Sequence, residues 1–294
     1  MNDYFQIYDL NFNPVPLPVD DLGYGLRGLD LIVSSVGQEV TEHSIPGRSG
    51  NITTGVRDSG RDMSISARIK AMNATDYRLK RDRVFAFFKS LGAFYVTEAQ
   101  QGNKLMKVRV VEQYRPERSN NSQTYALVDI PLKIDGQPYW LSRYKTMDLH
   151  NHKGVSANGH WSFGMGIDVS PENLIYQYED VSEFNIYNAG IPLKTIQEKD
   201  NCQIKIEINE SVTSFMLYDA TGSKWEYNPT KNNDWALKPG DVIIFNGHDV
   251  RLNKTTIMER TNRYYPVIKE GINKFKIDGL SQYKITFDFR FKYY

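Results

Sequence analysis

One cysteine, Cys202, stands in 294 residues. No internal disulfide can form, a single thiolate cannot build a metal cage, and packing alone must hold the fold. No run approaches the roughly 18 apolar residues that cross a bilayer as a helix. The opening stretch from Met1 to Leu10 lacks the basic-then-apolar order of an export signal, so we expect synthesis and assembly in a reducing host cytoplasm without membrane insertion. Charge of one sign is missing as well. Thirty-six Lys and Arg oppose 35 Asp and Glu, a formal net charge of +1, which excludes a general nucleic-acid coat or a binder of anionic membranes. What the chain has in excess is aromatic side chains: 14 Phe, 19 Tyr and 4 Trp make 13 % of it, beside an ordinary 40 % apolar and 24 % charged fraction. At roughly 100 to 200 residues per domain the length predicts two domains, each able to close a core, and disorder is excluded.

Alternation with period two is the main pattern, and it predicts strands with one buried face. Met63, Ile65, Ala67 and Ile69 alternate with Ser64, Ser66, Arg68 and Lys70. Met106, Val108 and Val110 do the same, as do Val128, Ile130, Leu132 and Ile134 after the polar turn Ser119-Asn-Asn-Ser122. One segment has helical spacing instead. Behind the N-cap candidates Asn73 and Thr75, the residues Tyr77, Val84, Phe88 and Leu91 share one arc, and Gly92 supplies the stop, so a helix spans about 75–91. Arg78, Asp82, Arg83 and Lys89 fall on the other side, and Arg81 falls inside the apolar arc, carrying its head outward on its stem. A first domain at 1–145 is therefore mainly β with one helix.

From Lys145 to Gly166 the pattern lapses into Gly- and Asn-containing runs, Asn151-His-Lys-Gly154, Ser156-Ala-Asn-Gly159 and Phe163-Gly-Met-Gly166. We place a linker with a first strand at 146–180, since Gly raises the entropy cost of ordering a chain. Beyond it, 181–294 reads as strand and turn. Ile204, Ile206 and Ile208 alternate, then Val212 to Tyr218 follows the polar break Asn209-Glu-Ser211, predicting a hairpin. Asn246-Gly247 predicts a tight turn between strands, because both residues accept positive φ. Tyr283, Ile285, Phe287, Phe289, Phe291 and Tyr293 alternate with Lys284, Thr286, Asp288, Arg290 and Lys292. A strand with so long an aromatic face needs a second layer over it, which predicts a β-sandwich.

Motifs that carry chemistry are missing. Ile45-Pro-Gly-Arg-Ser-Gly-Asn-Ile-Thr53 lacks the Lys and the following helix of a phosphate loop and reads as a turn. His150, His152 and His160 cluster with Asp148, but no strand pattern presents them to a metal, and a hydrated linker explains them better. No nucleophile elbow, zinc helix or dinucleotide fingerprint occurs, acid pairs among 35 carboxylates are undiagnostic, and nothing beside Cys202 would activate its thiol. We expect no enzyme, cofactor or metal. Trp225, Tyr227 and Trp235 offer flat faces to a glycan or a partner, although core packing or a protein interface explains Trp and Tyr at least as well.

The order of these parts resembles the distal tail proteins, the tail-tip hubs of long non-contractile-tailed phages that infect Gram-positive bacteria. In the first half the resemblance rests on Ser44-Ile-Pro-Gly-Arg-Ser-Gly50, similar to that family's Pro-Gly-Arg-x-Gly turn. The strand from Arg61 to Lys70, the single helix, the strand from Ala93 to Thr97 and Asp135-Gly-Gln-Pro-Tyr-Trp140 continue it. In the second half it rests on Tyr187-Asn-Ala-Gly-Ile-Pro192, a shortened form of the family's element, with Gly240-Asp-Val-Ile-Ile244 and Gly271-Ile-Asn-Lys-Phe-Lys-Ile277. The resemblance implies a structural virion protein: a hexameric ring of N-terminal barrel domains continuing the tail tube, with galectin-like β-sandwiches projecting outward. Its partners would be copies of itself, the tail tube protein and the tail-associated fibre or lysin hub, extending to the tape measure and receptor-binding proteins, with DNA only passing through the lumen. We place the ring interface at Arg48, Arg61, Ile65 and Met106. A carbohydrate-binding module for host-wall glycans, acting through Trp225, Tyr227 and Trp235, is the alternative.

Overall fold

The computed structural model describes residues 4–118, 123–152, 161 and 163–294. The predicted turn at 119–122 and the run 153–160, with His160, lie outside them. The chain divides into two compact units, Met1–Trp140 with Tyr294, and Leu141–Tyr293. Its class is mainly β, as the alternation predicts.

In the first unit the elements are β1 (Phe5–Tyr8), β2 (Pro14–Val15), β3 (Gly25–Val33), β4 (Gln38–Ser44), β5 (Asn51–Asp58), β6 (Met63–Lys70), α1 (Ala74–Leu91), β7 (Ala93–Glu98), β8 (Lys104–Arg109), β9 (Glu117–Arg118) and β10 (Tyr125–Ile134). Seven of the strands hydrogen-bond in the order β2-β1-β7-β8-β10-β6-β3, and β9 joins β10. The alternation in β6 sends Met63, Ile65, Ala67 and Ile69 inward, with Ile65 paired to Ile130 on one side and Leu31 on the other. Toward the far end the sheet curls back on itself. A Cβ on Gly28 of β3 would stand 2.4 Å from the Phe5 ring of β1, so only glycine lets these strands approach and give the sheet its barrel-like form.

Helix α1 begins where the sequence places it. The Asn73 side chain accepts hydrogen bonds from the backbone N–H of Thr75 and Asp76 at 3.0 and 2.9 Å, while Asp76 accepts from Met72 at 2.9 Å. Gly92, at φ +62°, ends it. The helix packs on β3 and β6 through Tyr77, Val84 and Phe88, and also through a buried Lys80. The Lys80 ammonium pairs with the Asp20 carboxylate, pinning the loop before β3 to the helix. Arg81, expected in the apolar arc, is half-exposed, bonds Asp82 and lies over the Phe85 ring at 5.9 Å.

Strand β11 (Trp140–Ser142) carries the chain out of the first unit, and α2 (Thr146–Asn151) follows. Then come β12 (Gln177–Glu179), β13 (Glu183–Asn188), β14 (Leu193–Lys194), β15 (Cys202–Ile208), β16 (Phe215–Tyr218) and β17 (Lys224–Tyr227). The remaining strands are β18 (Val242–Asn246), β19 (Asp249–Leu252), β20 (Thr255–Thr256), β21 (Val267–Ile268), β22 (Gly271–Asp278), β23 (Tyr283–Phe289) and β24 (Lys292–Tyr293). Two layers result, β12-β23-β15-β18-β19-β20 against β13-β22-β16-β17, with β14-β21 as a separate pair. Aromatic rings lock the layers together. Phe275 of β22 meets Phe287 of β23 at 4.9 Å, and Trp225 of β17 meets Phe245 of β18 at 4.9 Å, edge to face.

Two expectations are corrected here. The predicted hairpin between residues 202–208 and 212–218 does not form: β15 pairs with β18 and β23, whereas β16 pairs with β17 and β22. Both strands show one buried face, and alternation cannot tell whether the intervening turn stays in a sheet or crosses to the facing one. The stretch 146–180, expected as linker, contributes Leu149, Trp161, Met165, Leu174 and Tyr176 to the sandwich core. Thr146 of α2 bridges β23, donating to the Phe287 carbonyl at 2.9 Å and accepting from the Phe289 N–H at 3.0 Å, and the Trp161 indole donates to Asp148 at 2.6 Å. Apolar contact thus takes these residues into a core, although the composition around them reads as a connector.

Candidate assembly interface

The most conspicuous surface is one hairpin of the first unit. Among the described residues, strands β4 and β5 pair only with each other, from Gln38 opposite Asp58 to Ser44 opposite Asn51, with a register shift between Thr41 and Glu42. Every residue of β4 is exposed, and so are six of the eight in β5. A two-stranded ribbon is marginal in water without a covering layer. One side carries the charged pair Glu39–Arg57, at 2.8 Å and open to solvent, which contributes little to stability. Its neighbouring rung sets Val40 against Val56, 48 % and 57 % exposed. At the tip, residues 45–50, the Arg48 N–H donates to the Ile45 carbonyl at 3.1 Å, closing a tight turn with Gly47 and Gly50 both near φ +82°. At the base, the Gly37 N–H donates to Gly60 at 2.6 Å, and the Tyr139 hydroxyl donates to Asp58.

Exposed apolar side chains follow the same division. Sixteen large ones are exposed among the described residues; thirteen belong to the first unit, counting Tyr294, and three, Val181, Ile196 and Ile272, to the second. The first unit thus leaves more of its large apolar side chains in water than the second does.

The predicted interface residues separate. Arg48 is exposed at the hairpin tip and Arg61 half-buried near its base, in a hollow of about 630 Å³ shared with Gln38, Asp58, Glu98 and Lys104. Burial lowers the pKa of Arg61, and its Nε finds no hydrogen-bond partner among the described residues. Ile65 and Met106, at 0 % and 1 % exposure, are committed to the unit's own core and offer no face to a neighbour. The exposed hairpin has one apolar residue in the seven of β4 and so shows no alternation to detect.

The aromatic candidates are corrected in the same way. Trp225 and Tyr227 are wholly buried between the layers, Tyr227 donating to the Trp235 carbonyl at 2.7 Å, so neither can stack on a sugar. Trp235 is half-buried under the Arg260 guanidinium, 5.6 Å from its ring centre. The alternation Lys224-Trp225-Glu226-Tyr227 already carries this outcome: two aromatics on one face of a strand belong to the core. Of the His cluster, His150 and His152 are among the described residues. His150 Nδ1 accepts from the Tyr176 N–H at 3.3 Å, His152 lies 3.3 Å from Asp148, and no group of metal-binding side chains occurs among the described residues. Burial pushes the Cys202 thiol well above its ordinary pKa, with the Glu198 carboxylate adding to the effect.

Residues 24–133 match the family described as the phage tail protein RIFT-related domain. That stretch of the first unit is similar to a phage tail protein domain. The stretch matched takes in β3 and the hairpin, α1 and nearly all of β10. Over the whole chain the fold is that of SPP1 Dit (gp 19.1), whose crystal structure is described as a paradigm of the hub adsorption apparatus in Gram-positive-infecting phages. The TM-score is 0.60 at 12 % identity, covering 98 % of this chain and 99 % of that one. Chains of the phage p2 baseplate in its activated conformation, with Sr and with Ca, align at TM-scores of 0.38 with 10 and 11 % identity over 97 and 98 % of each chain, too low to establish a shared fold. No curated protein sequence matches. The resemblance read from the sequence is supported by a match to a phage tail protein domain in the first half and by the fold of SPP1 Dit over the whole chain.

The elements that carried the resemblance have physical tasks. In Tyr187-Asn188-Ala189-Gly190-Ile191-Pro192 the buried Asn188 amide donates to the carbonyls of Ile191 and Lys269 at 3.0 and 3.3 Å. A Cβ on Gly190 would stand 2.1 Å from the Lys292 carbonyl, so glycine is needed where the final strand passes. Lys292 itself is buried against Glu198 at 2.6 Å.

Proposed function

We propose that this protein is a structural hub of a phage tail tip, and that its first unit closes head-to-tail into a ring continuing the tail tube. The observation that carries this reading is the uncovered β4–β5 hairpin on the unit that holds most of the exposed apolar side chains. A ring needs two different, complementary patches on one chain, and a net charge of +1 lets like subunits meet without strong repulsion. The resemblance to distal tail proteins supports six copies, a tube ring above and the tail-associated fibre or lysin and adhesion apparatus below, with DNA passing through the lumen. It likewise supports assembly in the host cytoplasm and a role without catalysis. The buried Trp225 and Tyr227 take away two of the three residues on which the glycan-binding alternative stood.

Light scattering and electron micrographs of the purified chain test the proposal. A ring with a central hole is the expected outcome, and a chain that stays monomeric at every concentration and salt, alone and with tube protein, overturns it.

A further inference from the structure

A head-to-tail ring requires a knob and a hole on each copy, and the first unit offers one of each. The hole lies between the C-terminal half of α1 and the segment after β8, a hollow of about 380 Å³ lined by Phe85, Phe88, Val110 and Tyr114, with Lys89 and Glu112 at its rim. Its wall is aromatic: Tyr114 meets Phe85 edge to face at 5.4 Å and Phe88 at 6.3 Å. The Tyr114 hydroxyl is buried, yet it has no hydrogen-bond partner among the described residues, and a buried donor left without an acceptor is costly. Burial pushes this phenol up to about 12, so it remains a neutral donor over the working pH range.

The knob is the hairpin tip. Ile45 and Arg48 stand exposed at the ends of the tight turn they form with Pro46 and Gly47. Strands of seven residues at about 3.4 Å each carry this tip roughly 24 Å from its base, far enough to reach a neighbouring copy. Its one full charge is Arg48, and neither Arg48 nor Glu112 makes an ion pair among the described residues of its own chain. Glu112 also borders a second hollow, of about 420 Å³, that runs past Ser34 and Asp62 toward the hairpin base.

We propose that the Ile45–Arg48 turn of one copy seats in the aromatic hollow of the next, with Ile45 and Pro46 against Phe85 and Tyr114 and with Arg48 paired to Glu112. Beside that carboxylate the guanidinium gains the flat face of an aromatic ring. This pairing rests on the ring reading and specifies its contact. Because each chain uses its tip on one neighbour and its hollow on the other, the arrangement continues around an axis instead of stopping at a dimer.

Charge reversal in the full chain is the test. Arg48→Glu and Glu112→Arg should each weaken assembly at least about tenfold by light scattering, and the double swap should restore it. Both sites are exposed, and circular dichroism confirms that each variant folds. Independently, an Arg48→Cys/Glu112→Cys chain oxidised at assembling concentration should yield a covalent ladder beyond dimer, Cys202 being buried and inert. Rings that persist in both single variants, with no ladder, overturn the tip-and-hollow contact while leaving the ring standing. A wild-type chain that never associates overturns both.

Discussion

The second unit finishes its own core, and the first does not. In the sandwich, the aromatic face of β23 meets β22 and β13 directly: Phe287 is fully buried, 4.9 Å from Phe275 and 5.9 Å from Phe184. In the first unit, β6 is buried as thoroughly, but the hairpin that precedes it stands in water with Val40 and Val56 uncovered. The comparison separates two uses of the same strand chemistry. Where both faces of the packing come from one chain, aromatic area is spent on stability; where one face is left open, apolar area is available for assembly.

The sharpest break of this contrast is inside the sandwich. Phe287→Ala removes a ring from a packed layer and should destabilise the second unit by about 3–5 kcal/mol. Denaturant unfolding followed by Trp fluorescence should show that unit's transition shifted. Lys292→Met should cost a similar amount, about 3–5 kcal/mol, because it leaves the Glu198 carboxylate buried without its counter-charge. Adding Glu198→Leu should recover most of the loss. If either change also abolishes assembly without unfolding the domain, the division of labour between the units is wrong.

What the sequence displays and what it hides follow the same line. The strict alternation from Tyr283 to Tyr293 and the spacing in β6 are legible because burial on one face is a local periodic property. The helix is legible through Asn73 and Gly92, which act within a few residues of themselves. Lys80 is not, since its partner Asp20 lies sixty residues away and a lysine carries no periodic signal of burial. Hairpin strand β4, Gln-Glu-Val-Thr-Glu-His-Ser, is hidden because all seven of its residues are exposed, so it has no buried face for alternation to mark. Leu149 and Trp161 are hidden for the opposite reason: the sheet that buries them is far along the chain.

Smaller perturbations sharpen the contrast within the first unit. Asn73→Ala deletes the cap on α1 and should lower that unit's stability by about 1 kcal/mol, read as a shift in its unfolding midpoint with the sandwich transition unmoved. Acid acts on both units. The Arg109 guanidinium, aided by Lys107, holds Asp135 below its ordinary pKa, and Lys274 does the same to Glu183 in the second unit. A carboxylate whose folded pKa lies below its unfolded value of about 4 contributes stability that is present above that value and is lost as pH falls through the folded pKa. Unfolding midpoints should therefore drop below about pH 4, and Asp135→Asn should flatten that drop in the first unit alone.

The smallest effect on the fold is expected at Val56, and it decides what the hairpin is for. Val56→Asp places a carboxylate where the single chain already meets water, so the unfolding transition of the first unit should stay within about 0.5 kcal/mol of wild type. The same change at Ile65, one strand along and fully buried, should unfold the unit, because an unpaired charge would enter the core. If a neighbouring copy covers the Val40–Val56 rung in the ring, Val56→Asp must desolvate its new charge on association, and light scattering should show assembly weakened at least about tenfold while the fold is untouched. A variant that assembles normally places that rung on an outer surface of the ring. One that unfolds instead shows that the hairpin belongs to the chain's own core, and that the first unit is as complete as the second.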